Sequence, residues 1–227
     1  MTVQIEPLEL ARRIGDRLRR GLRRWRARSF GHGVSEPQTR ARLETIYSQV
    51  DPWAMDSPRE QHRFAVTNRI LRRELLGERE RVPALLEIGC GEGHQALHLR
   101  PLCERYTGID VVEVAVARAR ARIPDGEFIV GDLRAQPWAH AVARYDVVTA
   151  CEALFCFADI PGTLAIMSRI GRACLVTWHQ PATHLMERPL AKLGGVHREI
   201  IRHEATTWHV AWWQGGAQPG DGAVVSR

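Results

Sequence analysis

The feature that most constrains this fold is a glycine-rich turn that follows a short apolar run. Residues 84–88 are apolar apart from Glu87, and residues 89–93 read Gly-Cys-Gly-Glu-Gly. Glycine adopts positive φ angles at little cost, and its missing side chain lets a ligand approach the backbone. A strand followed by such a turn and a helix is typical of α/β proteins that bind a nucleotide at the turn.

Short apolar runs alternate with helical patterns from residue 84 onward, which predicts βα units around a parallel sheet. The predicted strands are residues 84–88, 106–110, 127–130, 145–150 and 173–178, with helices at 94–103, 112–122 and 160–170. Residues 196–203 and 206–213 predict two more strands, which close as an antiparallel hairpin because only a short turn joins them. The segment before this hairpin contains Pro181 and Pro189 and is expected to be a loop.

Ligands of open α/β sheets bind at the carboxyl ends of the strands, so the residues that follow each strand form the candidate site. Asp110 ends the second strand, where its carboxylate is placed to accept hydrogen bonds from the two hydroxyls of a ribose. The other candidates are Gly89, Cys90, Gly91 and Gly93 after the first strand, Val111 after the second, Asp132 and Leu133 after the third, and Cys151 and Glu152 after the fourth.

The spacing of the glycines argues against a dinucleotide cofactor. The pattern Gly-x-Gly-x-x-Gly would place its third glycine at position 94, where this chain has His94. The third glycine is instead Gly93, and an acid, Glu87, precedes the first glycine by two residues. A carboxylate there attracts a positively charged amino group and repels a pyrophosphate. A nicotinamide-dependent oxidoreductase is therefore the weakest interpretation of the turn.

Three motifs together resemble those of the class I S-adenosylmethionine-dependent methyltransferases: residues 87–93, Gly108-Ile109-Asp110 and Gly131-Asp132-Leu133. In that family they are the first motif, the ribose-binding acid and the turn that contacts adenine. The resemblance covers about residues 40–213. It implies a Rossmann-like α/β sheet of seven strands whose last two form an antiparallel hairpin, with N-terminal helices. It also implies S-adenosylmethionine as cofactor and S-adenosylhomocysteine as product.

A finer resemblance is to methyltransferases of the nodulation protein S type. It rests on Asp51-Pro52-Trp53, on residues 63–67 and on residues 151–155. Those enzymes methylate an amino sugar on a chitin-like oligosaccharide, which implies a nitrogen or oxygen nucleophile on a small-molecule or saccharide-like acceptor. The chain departs from that group at residues 88–91, which read Ile-Gly-Cys-Gly where the group often has Pro-Gly-Cys-Ser, and in its basic N-terminal segment.

Glu152 and His179 are the candidate catalytic residues, because they follow the fourth and fifth strands near the expected methyl group. A base there removes a proton from an oxygen or a protonated amine, whereas the alternative is a hydrogen-bonded rim residue without a catalytic role. Candidates for substrate binding are Trp53 in a lid segment, His184 and Arg63. For Arg63 two roles are expected as alternatives: binding of an acidic substrate group, or an exposed ion pair. Six aromatic residues are expected either to line the acceptor pocket or to belong to the hydrophobic core: Trp53, Phe64, Trp178, Trp208, Trp212 and Trp213.

The basic character of the chain resides in its first 30 residues. Nine arginines stand there against three acidic residues, which accounts for the whole formal net charge of +6. Apolar residues recur at three- and four-residue steps and predict an amphipathic helix: Leu8, Ala11, Ile14, Leu18, Leu22 and Trp25. Three interpretations stay open: a helix docked on the domain, a helix on an anionic membrane surface, and a contact with nucleic acid or another acidic partner.

This segment supports an alternative function, that of a membrane- or nucleic-acid-associated S-adenosylmethionine-binding protein, including an RNA methyltransferase. Nucleic acid is not expected to be an obligate partner. We divide the chain into a leader helix at residues 1–30, a helical lid at 31–80, a methyltransferase domain at 81–213 and a disordered tail at 214–227.

Cysteine usage and hydropathy bear on location and on metal binding. The five cysteines contain no Cys-x-x-Cys pair and no zinc-like spacing with histidine, so we expect reduced thiols and no metal. The sequence has no run of 18 apolar residues and no secretory signal pattern, which predicts a cytoplasmic protein, with a peripheral position on the inner membrane face as the alternative.

Overall fold

The computed structural model describes residues 36–216, so the predicted leader helix and the last 11 residues of the chain lie outside it. Two helices come first: α1 at Glu36–Ile46 and α2 at Pro58–Ile70, which continues as a π-helical turn over Leu71–Leu76. Pro58 suits the first turn of α2 because the backbone N–H that proline lacks has no partner there. None of the helices between residues 36 and 216 combines the length and the apolar composition needed to cross a bilayer.

Seven strands form one sheet in the order β3-β2-β1-β4-β5-β7-β6. The strands are β1 Val82–Ile88, β2 Cys103–Asp110, β3 Glu127–Val130, β4 Tyr145–Cys151, β5 Gly171–His179, β6 His197–His203 and β7 Thr206–Gln214. The first five are parallel, and β7 pairs antiparallel with both β5 and β6. The predicted α/β sheet with a terminal antiparallel hairpin is therefore confirmed.

Four further helices connect the strands: α3 Ala96–Leu99, α4 Glu113–Arg122, α5 Ile160–Ile170 and α6 Thr183–Leu190. The predicted helix at 94–103 is shorter in the structure, because Pro101 falls in a 3-10 turn over Arg100–Leu102. The predicted loop around Pro181 and Pro189 is wrong in part, since α6 occupies most of it. Pro189 lies in the last turn of α6, where its missing N–H removes only one hydrogen bond, and the helix buries Leu185 and Leu190 in the core.

The central strands are buried on both faces, as is usual for parallel strands covered by helices on each side. Leu85 in β1 and Val147 in β4 pack on one face, whereas Leu86 and Val148 pack on the other. The chain leaves β1 toward β2 on one side and enters β4 on the other, so the strand order reverses between β1 and β4. Open α/β sheets bind their ligands at the carboxyl ends of such strands.

Candidate active site

The turn after β1 has the backbone conformation that its glycines predicted. Gly89, Gly91 and Gly93 have φ angles of +72°, +52° and +78°. A Cβ at Gly89 would overlap the Cβ of Ala153, and one at Gly91 would lie 2.7 Å from the hydroxyl oxygen of Tyr47. Glycine is therefore required here both by conformation and by space.

Asp110 at the end of β2 anchors this turn. Its Oδ2 accepts a hydrogen bond from the amide of Gly91 at 2.9 Å, and its Oδ1 accepts one from the amide of Val112 at 3.0 Å. Burial raises the pKa of Asp110, and the hydrogen bonds from backbone amides oppose this rise. A carboxylate has about four acceptor positions, so Asp110 keeps acceptor capacity for the hydroxyls of a ribose.

A cleft of about 620 Å³ lies over the carboxyl ends of β1, β2 and β4. Gly89, Asp110, Val111 and Leu133 line it, as the sequence predicted. Its walls are otherwise mainly apolar, with Leu43, Ile109, Cys156 and Phe157 among them. A mainly apolar cleft with the carboxylates of Asp110 and Glu152 at its wall fits the adenine and ribose of a nucleoside.

A second cavity of about 460 Å³ shares part of its wall with the first. The shared residues are Tyr47, Trp53, Gly89 and Glu152. The rest of its lining combines charged or amide side chains, namely Arg63, Glu87, Glu92, His94 and Gln95, with Met55, Phe64, Cys90, Gly91 and Cys151. The two spaces together therefore suit an elongated ligand with an apolar ring system at one end and charged groups at the other.

Glu87 contributes a buried carboxyl group to the second cavity. The hydroxyl of Tyr106 donates a hydrogen bond to Glu87 Oε2. Burial raises the pKa of Glu87 to about 8, although the Tyr106 hydrogen bond and the positive charge of Arg63 each lower it. A cationic group next to this carboxyl would favour its ionised form.

The structure brings together the two predicted catalytic residues. Glu152 follows β4 and His179 ends β5, and Glu152 Oε2 lies 3.2 Å from His179 Nδ1. Glu152 has a φ of +57°, a strained conformation for a residue with a side chain, and its amide donates to the carbonyl of Thr177 at 2.9 Å. The imidazole of His179 also meets the ring of Phe155 edge to face, with 4.8 Å between centroids.

Comparison with known proteins agrees with this geometry. The family described as methyltransferase domain matches residues 86–173. Nodulation protein S of Sinorhizobium fredii is 30% identical over 164 residues, which are 68% of this chain and 70% of that protein. The chain belongs to the class I S-adenosylmethionine-dependent methyltransferases. The predictions of the family and of S-adenosylmethionine as its cofactor are confirmed, and the glycine turn and Asp110 fit that cofactor.

Two other relatives match a smaller part of this methyltransferase and a smaller part of their own sequences. Nodulation protein S of Bradyrhizobium diazoefficiens is 29% identical over 140 residues, 56% of this chain and 59% of its own length, so the chain spans about three fifths of it. Trans-aconitate 2-methyltransferase of Escherichia coli O1:K1 is 30% identical over 121 residues, 49% of this chain and 46% of that protein.

A solved structure confirms the fold of the methyltransferase. The crystal structure of N-methyltransferase NodS from Bradyrhizobium japonicum WM9, in complex with S-adenosylhomocysteine, has a TM-score of 0.62 at 20% sequence identity. The match covers 79% of this chain and 99% of that chain.

Of the two residues predicted in the turn after β3, Leu133 lines the cleft and Asp132 does not. Leu133 lines the cleft together with Gly131. The carboxylate of Asp132 instead accepts hydrogen bonds from the amide of Arg134 at 2.8 Å and from its guanidinium at 3.0 Å. Asp132 thus caps the 3-10 turn that follows, and its role toward adenine stays a prediction.

The three residues predicted to bind substrate lie in different surroundings. Trp53 lines both cavities. Arg63 is only 1% exposed and lies 2.8 Å from Glu60, so the exposed ion pair given as its alternative role is wrong. His184 is exposed on α6, with its Nδ1 3.0 Å from the carbonyl oxygen of Pro181, and it lines neither cavity. A role of His184 in substrate binding stays a prediction.

Most of the singled-out aromatic residues belong to the core. Trp53 and Phe64 line the second cavity. The remaining four are at most 7% exposed and pack within the two main hydrophobic clusters: Trp178, Trp208, Trp212 and Trp213. Sequence reasoning missed Tyr47, whose ring meets Trp53 edge to face at 6.0 Å and lines both cavities.

A network of charged groups ties the segment after α1 to the glycine turn. The guanidinium of Arg118 donates to Glu92 at 2.6 Å and to the carbonyl oxygens of Tyr47 and Gln49 at 3.0 and 2.8 Å. Glu92 also accepts a hydrogen bond from the amide of Asp51 at 3.0 Å. Ligand atoms of Asp51, Glu92 and His94 lie within 4.8 Å of one another, as in a metal site, but Arg118 already supplies a positive charge to Glu92.

Proposed function

We propose that this methyltransferase transfers a methyl group to a nitrogen or oxygen nucleophile of a small, polar, saccharide-like acceptor. The observation that carries the proposal is the Glu152–His179 pair beside the cofactor cleft. The resemblance to nodulation protein S supports an amine nitrogen as the first acceptor to test.

Glu152 lines both cavities where they share a wall, whereas His179 lines neither. We therefore propose that Glu152 acts directly on the acceptor and that His179 acts through Glu152. S-adenosylmethionine supplies a methyl group whose carbon is activated by the positively charged sulfur. Glu152 accepts a proton from the ammonium or hydroxyl group of the acceptor, which frees the lone pair that forms the new bond to that carbon. The bonding pair of the broken C–S bond stays on sulfur as a thioether.

His179 stabilises the proposed proton transfer. Its Nδ1 lies 3.2 Å from Glu152 Oε2, an ion-pair distance at which the imidazole acts on the carboxylate electrostatically. The pair holds the Glu152 carboxylate in one orientation, and such positioning is a main source of rate in displacement reactions. Tyr47 and Trp53 offer aromatic faces next to Glu152, and aromatic faces attract cations and pack against sugar rings.

The proposal is tested by a methyl-transfer assay with labelled S-adenosylmethionine and amino-sugar oligosaccharides. We expect Glu152→Gln to lower kcat by roughly 10²- to 10⁴-fold, the usual contribution of a positioned base, while the affinity for S-adenosylhomocysteine changes little. His140→Asn is the matched control, because His140 is exposed at the end of a 3-10 turn and lines neither cavity. An unchanged kcat in Glu152→Gln would contradict the assignment of the base.

The alternative of a membrane- or nucleic-acid-associated protein depends on the arginine-rich residues 1–30, which lie outside the described part of the chain. Deletion of these residues discriminates between the two. Turnover of a small acceptor by the shortened chain at the full-length rate supports the small-molecule enzyme. A loss of all turnover with S-adenosylhomocysteine binding intact would favour the alternative.

A further inference from the structure

One buried imidazole lies among three carboxylates where the segment between α1 and α2 meets the glycine turn. His94 is 5% exposed. Its Nε2 lies 3.5 Å from Glu92 Oε2 and 3.9 Å from Asp51 Oδ1, and its Nδ1 lies 3.3 Å from Asp56 Oδ1. Asp51 and Glu92, which are 41 positions apart in the sequence, therefore approach the same ring nitrogen.

The ring nitrogen Nε2 of His94 is buried and has no hydrogen-bond partner between residues 36 and 216. Its distances to the two carboxylates exceed the roughly 2.7–3.2 Å of an ordinary N–H···O hydrogen bond. Ligand atoms that each lie about 2.0–2.2 Å from a tetrahedral zinc ion are about 3.4 Å from one another. The spacing at His94 is thus closer to that of ligands around a shared cation than to that of a hydrogen bond.

The charge around this imidazole favours a cation. Three carboxylates stand against two guanidinium groups, that of Arg118 at Glu92 Oε1 and that of Arg122 at the Glu92 carbonyl oxygen. The other oxygen, Glu92 Oε2, faces His94 and accepts the amide of Asp51, which leaves it a lone pair. Burial raises the pKa of Glu92, but His94 and Arg118 lower it below its ordinary value, so this carboxylate is ionised at neutral pH.

We propose that His94, Glu92 and Asp51 bind one zinc ion, and that Asp56 orients the imidazole from its other nitrogen. Zinc takes imidazole nitrogen together with carboxylate oxygen in proteins, whereas Mg²⁺ and Ca²⁺ prefer oxygen ligands. A carboxylate at the second nitrogen is the usual outer partner of a metal-bound histidine, because it fixes the tautomer that leaves Nε2 its lone pair. Three protein ligands leave the fourth position of the ion to water.

A bound ion fastens the segment that carries Tyr47 and Trp53 to the glycine turn. Both aromatic side chains line the two cavities, so the ion holds this wall of the site in place. The sequence predicted no metal from the spacing of its cysteines and histidines, and a site that takes its ligands from two distant segments has no such spacing. The inference goes beyond the proposed methyl transfer and depends neither on the acceptor nor on the base.

The test measures Zn²⁺ binding by the full chain, first freed of metal with a chelator, in competition with a chromophoric zinc indicator. We expect one tightly bound ion per chain. His94→Gln and Asp51→Asn each remove a ligand and should weaken this ion at least about 100-fold, more than the loss of an outer partner does. Asp56→Asn should weaken it about tenfold, the lower end for an outer partner, because Asp56 is exposed. His140→Gln is the matched control, since His140 is exposed and outside the cluster, and it should leave the affinity unchanged.

Co²⁺ is the spectroscopic probe of the same site, because tetrahedral Co²⁺ absorbs visible light far more strongly than Co²⁺ in water. We expect this absorption in the unmodified chain and in His140→Gln, and its loss in His94→Gln. The Tm of each metal-free variant shows that it is folded, and the exposed position of Asp56 keeps Asp56→Asn informative if a ligand variant is unstable.

Equally tight Zn²⁺ binding by the unmodified chain and by the His94, Asp51 and Asp56 variants would overturn the proposal, since the ion then lies elsewhere. Absence of Zn²⁺ binding by the metal-free chain would overturn it as well, and His94 would then be a protonated partner of the carboxylates around it.

Discussion

Glu87 is expected to release a proton when the cofactor binds. Its pKa is about 8 in the structure, against an ordinary value of 4.5. At pH 7 a group of pKa 8 is about nine-tenths protonated, whereas the ammonium of the ligand favours the carboxylate. Binding should therefore release about 0.9 proton from Glu87 at pH 7, about 0.5 at pH 8 and about 0.1 at pH 9. Below pH 8, affinity should rise about tenfold per pH unit.

Calorimetric titration with S-adenosylhomocysteine in phosphate and in Tris measures this release, because the two buffers differ in the heat they absorb on protonation. The amino group of the ligand also titrates, but at pH 7 it is largely protonated in solution, so its contribution is smallest there. The difference between the unmodified chain and Glu87→Gln therefore isolates Glu87, and we expect it to equal the values above. Equal proton release by both proteins at pH 7 would refute the reasoning.

Three further outcomes follow from the site. Asp110→Ala should weaken S-adenosylhomocysteine at least about tenfold in calorimetry, because it removes a ribose acceptor and the anchor of Gly91 together. Gly91→Ala should lower Tm and the affinity for S-adenosylhomocysteine, because alanine at φ +52° costs about 1–2 kcal/mol and its Cβ crowds Tyr47. The control Gly194→Ala should change neither, because the space around Gly194 is open. Glu87 binds more protons folded than unfolded between pH 4.5 and 8, so stability falls as pH rises through this window, and Glu87→Gln should flatten that slope in urea unfolding.

The sequence predicted those parts of the fold and site that depend on local pattern. The glycine turn and Glu152 each follow directly on a strand, and Asp110 ends one. Parallel strands bring their carboxyl ends to one edge, so strand order alone places these residues together. The terminal hairpin followed from the short turn between its strands.

Other parts depend on packing between distant segments. The cofactor cavities take Tyr47 from the segment after α1 and Arg63 from α2, and no local pattern shows which face of a helix meets the sheet. Of the two roles predicted for Arg63, the exposed ion pair is wrong because the residue is buried, and its pairing with Glu60 and Gln95 makes that burial possible. A loop was predicted in place of α6 because Pro181 precedes the helix and Pro189 lies in it, although Leu185 and Leu190 form an apolar face.

Cofactor binding is tested most directly by titrating the purified chain with S-adenosylhomocysteine and, separately, with NAD⁺ in the same calorimeter. We expect saturable binding of S-adenosylhomocysteine with one site per chain and no heat of binding with NAD⁺. The turn has His94 where a dinucleotide motif places its third glycine, and the carboxylate of Glu87 would repel a pyrophosphate. Absence of S-adenosylhomocysteine binding, or preferential binding of NAD⁺, would contradict the assignment of this site.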